Sequence, residues 1–264
     1  MATTDAPPTR RPPARVVALT LVGVLLYGLF LLAQAPAGLL AWGLQRISGG
    51  ALLLEGVDGT LWRGSAARLA WMDAGQGVEL GRASWSWRPL ELTRARLGHH
   101  VAIDAAALHL RGSIAVGAGG IELERLDASL RAEVAGRLLP TLGLLHPRGD
   151  FELEARALRL GRHGQTGAAT LVWRDARSDL VDEPLGDYRL LLSPAPGGAS
   201  ALRLETLRGP LRAQGEGSWR APDKLALRAT LQPPAERLQH YAPALNLLSR
   251  PGAGGVYVLE LRSP

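Results

Sequence analysis

The chain has 264 residues, a formal net charge of +6 and no cysteine, long enough for one large domain or two small ones without a disulfide or metal staple. The missing cysteine excludes cysteine–zinc sites, iron–sulfur clusters and thiol catalysis, and leaves the compartment open. The cations are arginines spread among acids, with Lys224 the sole lysine, and no basic face interleaved with aromatics marks a nucleic-acid binder.

Residues 1–15 are proline-rich and carry Arg10, Arg11 and Arg15 against Asp5, the composition of a disordered basic tail. Residues 16–33 (VVALTLVGVLLYGLFLLA) contain no charge and would span about 27 Å as a helix, close to the thickness of bilayer hydrocarbon. A transmembrane anchor over 16–35 is therefore expected. The arginines in front of it keep the N-terminus cytoplasmic and send the rest across the inner membrane into the periplasm. A cleavable signal peptide is the competing reading, because Ala33-Gln34-Ala35 resembles a cleavage site. The length of the apolar run and Pro36 oppose it, and the domain is exported on either reading.

Over 36–50, Leu40, Leu44 and Ile47 recur at i, i+4 and i+7, a short amphipathic helix lying on the bilayer or the domain. From there the period is two. Residues 151–159 (FELEARALR) put Phe151, Leu153, Ala155 and Ala157 on one face and charges on the other, and 202–206, 225–231 and 256–262 alternate likewise. Turn residues between these runs predict a mainly β, antiparallel domain, an elongated curved sheet or open barrel. Asp58-Gly59 reads as a two-residue type I′ hairpin turn, with Trp62 on the strand that follows, sharing a face with Gly64, Ala66 and Ala70. Helical spacing returns at 137–145, through Leu138, Leu142 and Leu145, and at 234–248, through Leu238, Tyr241, Leu245 and Leu248.

An internal repeat is suggested by Leu110-Arg111-Gly112 against Leu207-Arg208-Gly209 and Leu130-Arg131-Ala132 against Leu227-Arg228-Ala229, both 97 residues apart. Leu69-Ala70-Trp71 and Leu171-Val172-Trp173 extend it at another spacing. Two strand–helix–strand halves, 51–160 and 161–264, follow from this reading. Chance matches in a leucine- and arginine-rich composition are the alternative.

Chemistry is sparse. His99 and His100 are adjacent and, on a strand, point to opposite faces. His109, His146, His163 and His240 stand outside any H-E-x-x-H pattern, and residues 112–120 (GSIAVGAGG) lack the lysine of a phosphate loop and read as a glycine-rich hairpin. No cofactor, metal site or catalytic constellation is expected, which leaves binding or assembly.

The densest local signal is Gly56 to Gly64, of the form G-V-x-G-T-L-W-x-G. With the tail and anchor before it, Trp87-Arg88-Pro89-Leu90-Glu91-Leu92 after it, and Gly215-Glu216-Gly217-Ser218-Trp219 near the end, the chain resembles the type II secretion system protein N family over essentially its full length. The resemblance implies a non-enzymatic, accessory inner-membrane subunit of the apparatus that exports folded periplasmic proteins through an outer-membrane secretin. Other platform subunits would be its partners, with the secretin a further one. Gly59, Thr60, Leu61, Trp62 and Gly64 are expected to form a structural or docking motif. The second function class is a periplasmic lipid-handling protein, whose curved apolar sheet would hold acyl chains.

Overall fold

The computed structural model describes residues 14–73, 76–161, 164–220 and 224–262; almost all of the expected tail at 1–15 lies outside them. Two helices, α1 (Ala14–Ala33) and α2 (Gly38–Ile47), precede the first strands. These are β1 (Leu52–Gly59), β2 (Arg63–Asp73), β3 (Gln76–Arg88), β4 (Arg96–Ala105), β5 (Leu108–Gly117) and β6 (Gly120–Arg131). After α3 (Ala132–Leu138) and α4 (Pro140–Gly143) come β7 (Pro147–Gly161), β8 (Gly164–Ser178), β9 (Val181–Pro194), β10 (Ser200–Arg208), β11 (Arg212–Arg220) and β12 (Lys224–Gln232). Helix α5 (Leu238–Leu248) leads to β13 (Arg250–Pro251) and β14 (Tyr257–Arg262).

All the described strands belong to one open antiparallel sheet in chain order, except that β14 lies between β12 and β13. The mainly β, antiparallel expectation is met. Because each strand pairs with its sequence neighbour, the connections alternate between two ends. The β1–β2, β3–β4, β5–β6 and β9–β10 turns share one end, and α3, α4 and α5 sit at the other. Helices thus follow the sixth and twelfth strands; α3 folds back onto β3, and α5 onto β9. Trp71 and Trp173 sit on the second strands of these two six-strand runs, β2 and β8. Leu110 lies within β5, whereas Leu207 is near the end of β10.

One face of the sheet is apolar along its whole width. In cross-strand register a row runs from Val57 through Ile103, Leu110, Leu153 and Leu190 to Leu259, and every member is aliphatic or glycine. A second row, one pleat closer to the first end, runs from Gly59 and Gly64 through Trp85, Val101, Leu126, Leu192 and Leu227 to Leu261. Between them, on the opposite face, stand Asp58, Ser65, Ser84, Glu154, Arg203, Glu216 and Glu260. A period of two in every strand, held in register across the sheet, produces this separation.

The helices cover only part of the apolar face and divide it into two cores. The first gathers Ala66, Leu69, Leu80, Ala83, Trp85 and Leu108 beneath Leu40 of α2 and Val134 and Leu138 of α3. The second gathers Leu185, Tyr188, Leu211, Ala213 and Tyr257 beneath Tyr241, Ala244 and Leu245 of α5. The single helix expected over 137–145 is two short ones, because Pro140 pushes Leu139 out of helical geometry (φ −122°, ψ 98°). As a result Leu138 joins the first core, and Leu142 and Leu145 join the second.

Three further expectations change. Ile47 is 88% exposed, so α2 meets β1 through Leu40 and its apolar stripe ends a turn early. Ala157 adopts φ 48° at an irregularity in the β7–β8 pairing, which turns it outward and brings Leu158 onto the apolar face, 7% exposed. His99 and His100 do point to opposite faces, with His100 Nδ1 2.8 Å from Ser113 Oγ on the polar side.

Helix α1 is fastened to the sheet at its last turn, and its apolar side chains from Leu19 to Leu32 are at least half exposed. Among the described residues no helix is long and apolar enough to cross a membrane, the side chains of Val16 and Val17 lying outside them. The expected span over 16–35 stands with the proposals below.

Candidate docking site

The five residues singled out above sit where the N-terminal helices meet the sheet. Asp58 and Gly59 are not the hairpin turn. They continue β1, paired with Ser65 and Gly64, and the chain reverses over Thr60, Leu61 and Trp62. The reason is a second set of partners. Residues 35–37 run alongside as a short bridge, with the Ala37 amide donating to Gly59 O (3.2 Å) and the Leu61 amide to Ala35 O (2.8 Å). These bonds hold the chain extended past Gly59. Within the turn the Thr60 amide donates to Arg63 O (2.9 Å) and the Arg63 amide to Thr60 Oγ1 (3.1 Å).

Both glycines are required by contact. A Cβ on Gly59, whose φ is +93°, would stand 2.5 Å from Arg63 O. One on Gly64 would stand 2.6 Å from Asp58 O and 2.6 Å from Trp85 Cζ2. The indole that needs the small neighbour is thus Trp85, on β3, whose Nε1 donates to Thr60 O (3.1 Å). Trp85 is 7% exposed and belongs to the first core.

Trp62 is in the turn, not on the strand. Its Nε1 donates to Leu32 O at the last turn of α1 (2.8 Å), and its carbonyl accepts from the Trp87 amide (2.6 Å). The Trp62 and Trp87 rings lie 4.7 Å apart at 51°, a tilted pairing favourable to two indoles. Trp87 pairs across the strands with His99, and Trp87 Nε1 and His99 Nε2 are buried without hydrogen-bond partners. Burial holds the His99 imidazole below its ordinary value, opposed by a hydrogen bond to the Leu61 backbone.

The motif therefore clasps the end of α1 to the sheet, through backbone bonds from residues 35–37 and one indole bond to α1. Sequence reasoning missed Leu32, Ala35, Pro36, Ala37, Trp85 and His99. Trp85 and Trp87, two residues apart on one strand, carried a local signal; the others come together only through the fold.

Beyond Trp87 the chain enters a 3₁₀ turn, Pro89–Arg94, that lies on the polar face over Gly98. It places Glu91 at 1% exposure, within 3.1 Å of Arg94 and 3.0 Å of Arg96. A buried carboxylate is tolerated there because several guanidinium groups surround it. Gly215 and Gly217, of the third matching segment, occupy the two apolar rows on β11. A Cβ on Gly215 would meet Ala229 Cβ at 2.7 Å and one on Gly217 would meet Ala226 O at 2.3 Å.

Beneath the clasp, on the polar face, an open depression of about 740 Å³ is lined by Asp58, Arg63, Ser65, His100, Arg111 and Arg125, among others. Among the described residues no group of three or more histidine, aspartate and glutamate side chains converges as metal ligands would.

Comparison with known proteins gives one family. That described as type II secretion system (T2SS), protein N, matches residues 50–260, from just before β1 to within β14. The type II secretion system protein N of Vibrio cholerae serotype O1 is 29% identical over 143 residues, 53% of this chain and 54% of that protein. The chain thus spans about half the length of that relative. No solved structure matches.

Proposed function

The chain belongs to the type II secretion system protein N family, and on that premise we propose that it is an accessory inner-membrane subunit supporting export of folded periplasmic proteins through an outer-membrane secretin. Its α1, extended over 16–35, spans the inner membrane with the N-terminus cytoplasmic, and the sheet stands on the periplasmic side. Other platform subunits, and the secretin, are its partners. Residues 51–160 and 161–264 are read as related halves of one sheet.

The single observation that carries this beyond family membership is the clasp. A bare helix joined by a flexible linker would leave the domain free to swing. Here Gly59, Thr60, Leu61, Trp62 and Gly64 tie residues 32–37 to the first two strands, so the helix leaves the sheet from one fixed place. A subunit held in this way braces its neighbours at a defined height and angle, and α1 itself is a surface for other membrane helices.

Deleting the gene and assaying the culture supernatant tests the role. Loss of type II substrates from the supernatant, restored by the intact chain, is the expected result, together with crosslinks to platform subunits from a photoreactive residue beside the clasp. Unchanged export of every substrate and no crosslink to any platform subunit would refute the reading. Trp62→Phe, which removes only the indole bond to Leu32 O, is expected to reduce export less than deletion does.

A further inference from the structure

The depression beneath the clasp has an ordered floor. In cross-strand register Arg63 on β2, Ser86 on β3, His100 on β4, Ser113 on β5 and Arg125 on β6 stand side by side on the polar face, and all of them line it. The row holds no acid. Among the described residues no carboxylate lies within ion-pair distance of Arg63 or Arg125, whereas Arg88, Arg156 and Arg174 on the same face are paired with Glu124, Glu154 and Glu152. Both unpaired arginines are exposed. On one side of the row the 3₁₀ turn Pro89–Arg94 rises over Gly98, and its buried Glu91 is already engaged by Arg88, Arg94 and Arg96. On the other side runs a neighbouring row in which Ser65, Ser84, Ala102 and Arg111 lie between Asp58 and Asp127.

Three observations decide what fits it. First, the open cations stand at the two ends of one row and the acids in the row beside it, so an anion is drawn to the first row and repelled if it strays into the second. Second, four inter-strand steps put Arg63 and Arg125 roughly 19 Å apart. That is too far for a single phosphate to bridge and is the reach of about six extended residues. Third, the floor between the arginines is made of Ser86, His100 and Ser113, with Ser113 Oγ 2.8 Å from His100 Nδ1. Hydroxyl groups both donate and accept, so this floor satisfies the N–H and C=O groups of a peptide laid across the strands. No exposed indole, phenol or phenyl ring lines the depression, Trp85 being 7% exposed and on the other face. A sugar or a base would therefore find nothing to stack on.

We propose that this row is a docking groove for an extended acidic peptide segment of a partner protein: its carboxylates meet Arg63 and Arg125, and its peptide groups bond to the hydroxyls between them. The groove is independent of the secretion role, and its test reads peptide binding without any export.

The full chain in detergent, titrated into a peptide of about seven residues that alternates aspartate and serine and carries an uncharged fluorophore, provides that test by anisotropy. Binding is expected, weakening as salt rises, and a peptide alternating asparagine and serine should bind at least about tenfold more weakly. Arg63→Gln and Arg125→Gln should each weaken binding of the acidic peptide about threefold to fivefold, as loss of an exposed ion pair does, and the two together about tenfold or more. Arg228→Gln, on the same face but paired with Glu260, should change nothing. Equal binding of the two peptides, or undiminished binding to the double variant, would overturn the proposal. So would displacement of the peptide by millimolar inorganic phosphate at fixed ionic strength, which would assign the row to a small anion, or self-association of the chain abolished by the double variant, which would assign it to a second copy.

Discussion

The two cores are built on the same plan and held by different chemistry. Each lies on the apolar face of a six-strand run and is covered by a helix folding back onto the third strand of that run. The first is made of alanines and leucines around Trp85, and its polar contacts are spent on fastening residues 32–37. The second is made around tyrosines. Tyr241 is fully buried and donates to Pro184 O (3.1 Å), while the Tyr188 hydroxyl lies 2.9 Å from both Leu185 O and Leu211 O. Burial raises the Tyr188 phenol far above its ordinary range, so it stays a neutral donor. Between them Phe151 and Trp173 stack at 5.1 Å, and Trp173 and Tyr188 at 6.1 Å. One architecture thus serves two ends: the second core holds its own helix in place, and the first fastens the end of α1 to the sheet.

The largest expected effect breaks the second core. Tyr241→Ala removes a fully buried aromatic and its hydrogen bond and should cost about 3–5 kcal/mol. Hydrogen exchange should then quicken in α5 and β9, while β1 to β3 keep their protection. Equal loss of protection in both regions would show one cooperative unit.

Next comes the converse experiment. Gly64→Val forces a side chain into the space of Trp85 and Asp58 O and should cost roughly 1–3 kcal/mol. The measurable signature is local: faster exchange in β1 to β3 and a wider range of distances between spin labels on α1 and β2. Tightly defined label distances in this variant would show that α1 is positioned by something other than the clasp.

The smallest effect is a pH dependence confined to the first region. Well above the ordinary imidazole value of 6.5, His99 is neutral in the folded and unfolded chains alike, and its burial costs nothing extra. Below that value the unfolded chain takes up a proton that the folded chain resists, so stability falls with pH until the lower folded value is passed, and then levels. Urea unfolding monitored at β3 and β4 should show this acid loss, His99→Leu should flatten it, and α5 should be insensitive to the substitution.

Much of the fold was legible because its signal is local. Alternation in 151–159, 202–206, 225–231 and 256–262 identified strands without any neighbour, since the period of a half-buried strand is written into each one. Proline and glycine placed the interruptions, and the resemblance carried by Gly56 to Gly64 led to the family that matches over 50–260. The site was only half legible. Gly59, Thr60, Leu61, Trp62 and Gly64 were found, yet Asp58-Gly59 looked like a turn because the dipeptide is a strong turn former. That local preference lost to bonds from residues 35–37, more than twenty positions away in the chain.

What the sequence determined by itself is the inventory: a long uncharged segment, strands with one apolar face, two helical interruptions and a motif dense in glycine and tryptophan. What the tertiary structure alone decided is adjacency. Which indole lies on Gly64, which core receives Leu138 and which Leu142, and where the apolar rows are left uncovered all depend on cross-strand register and on helices folding back. Those follow from the packing of the whole sheet, and no window of the sequence contains them.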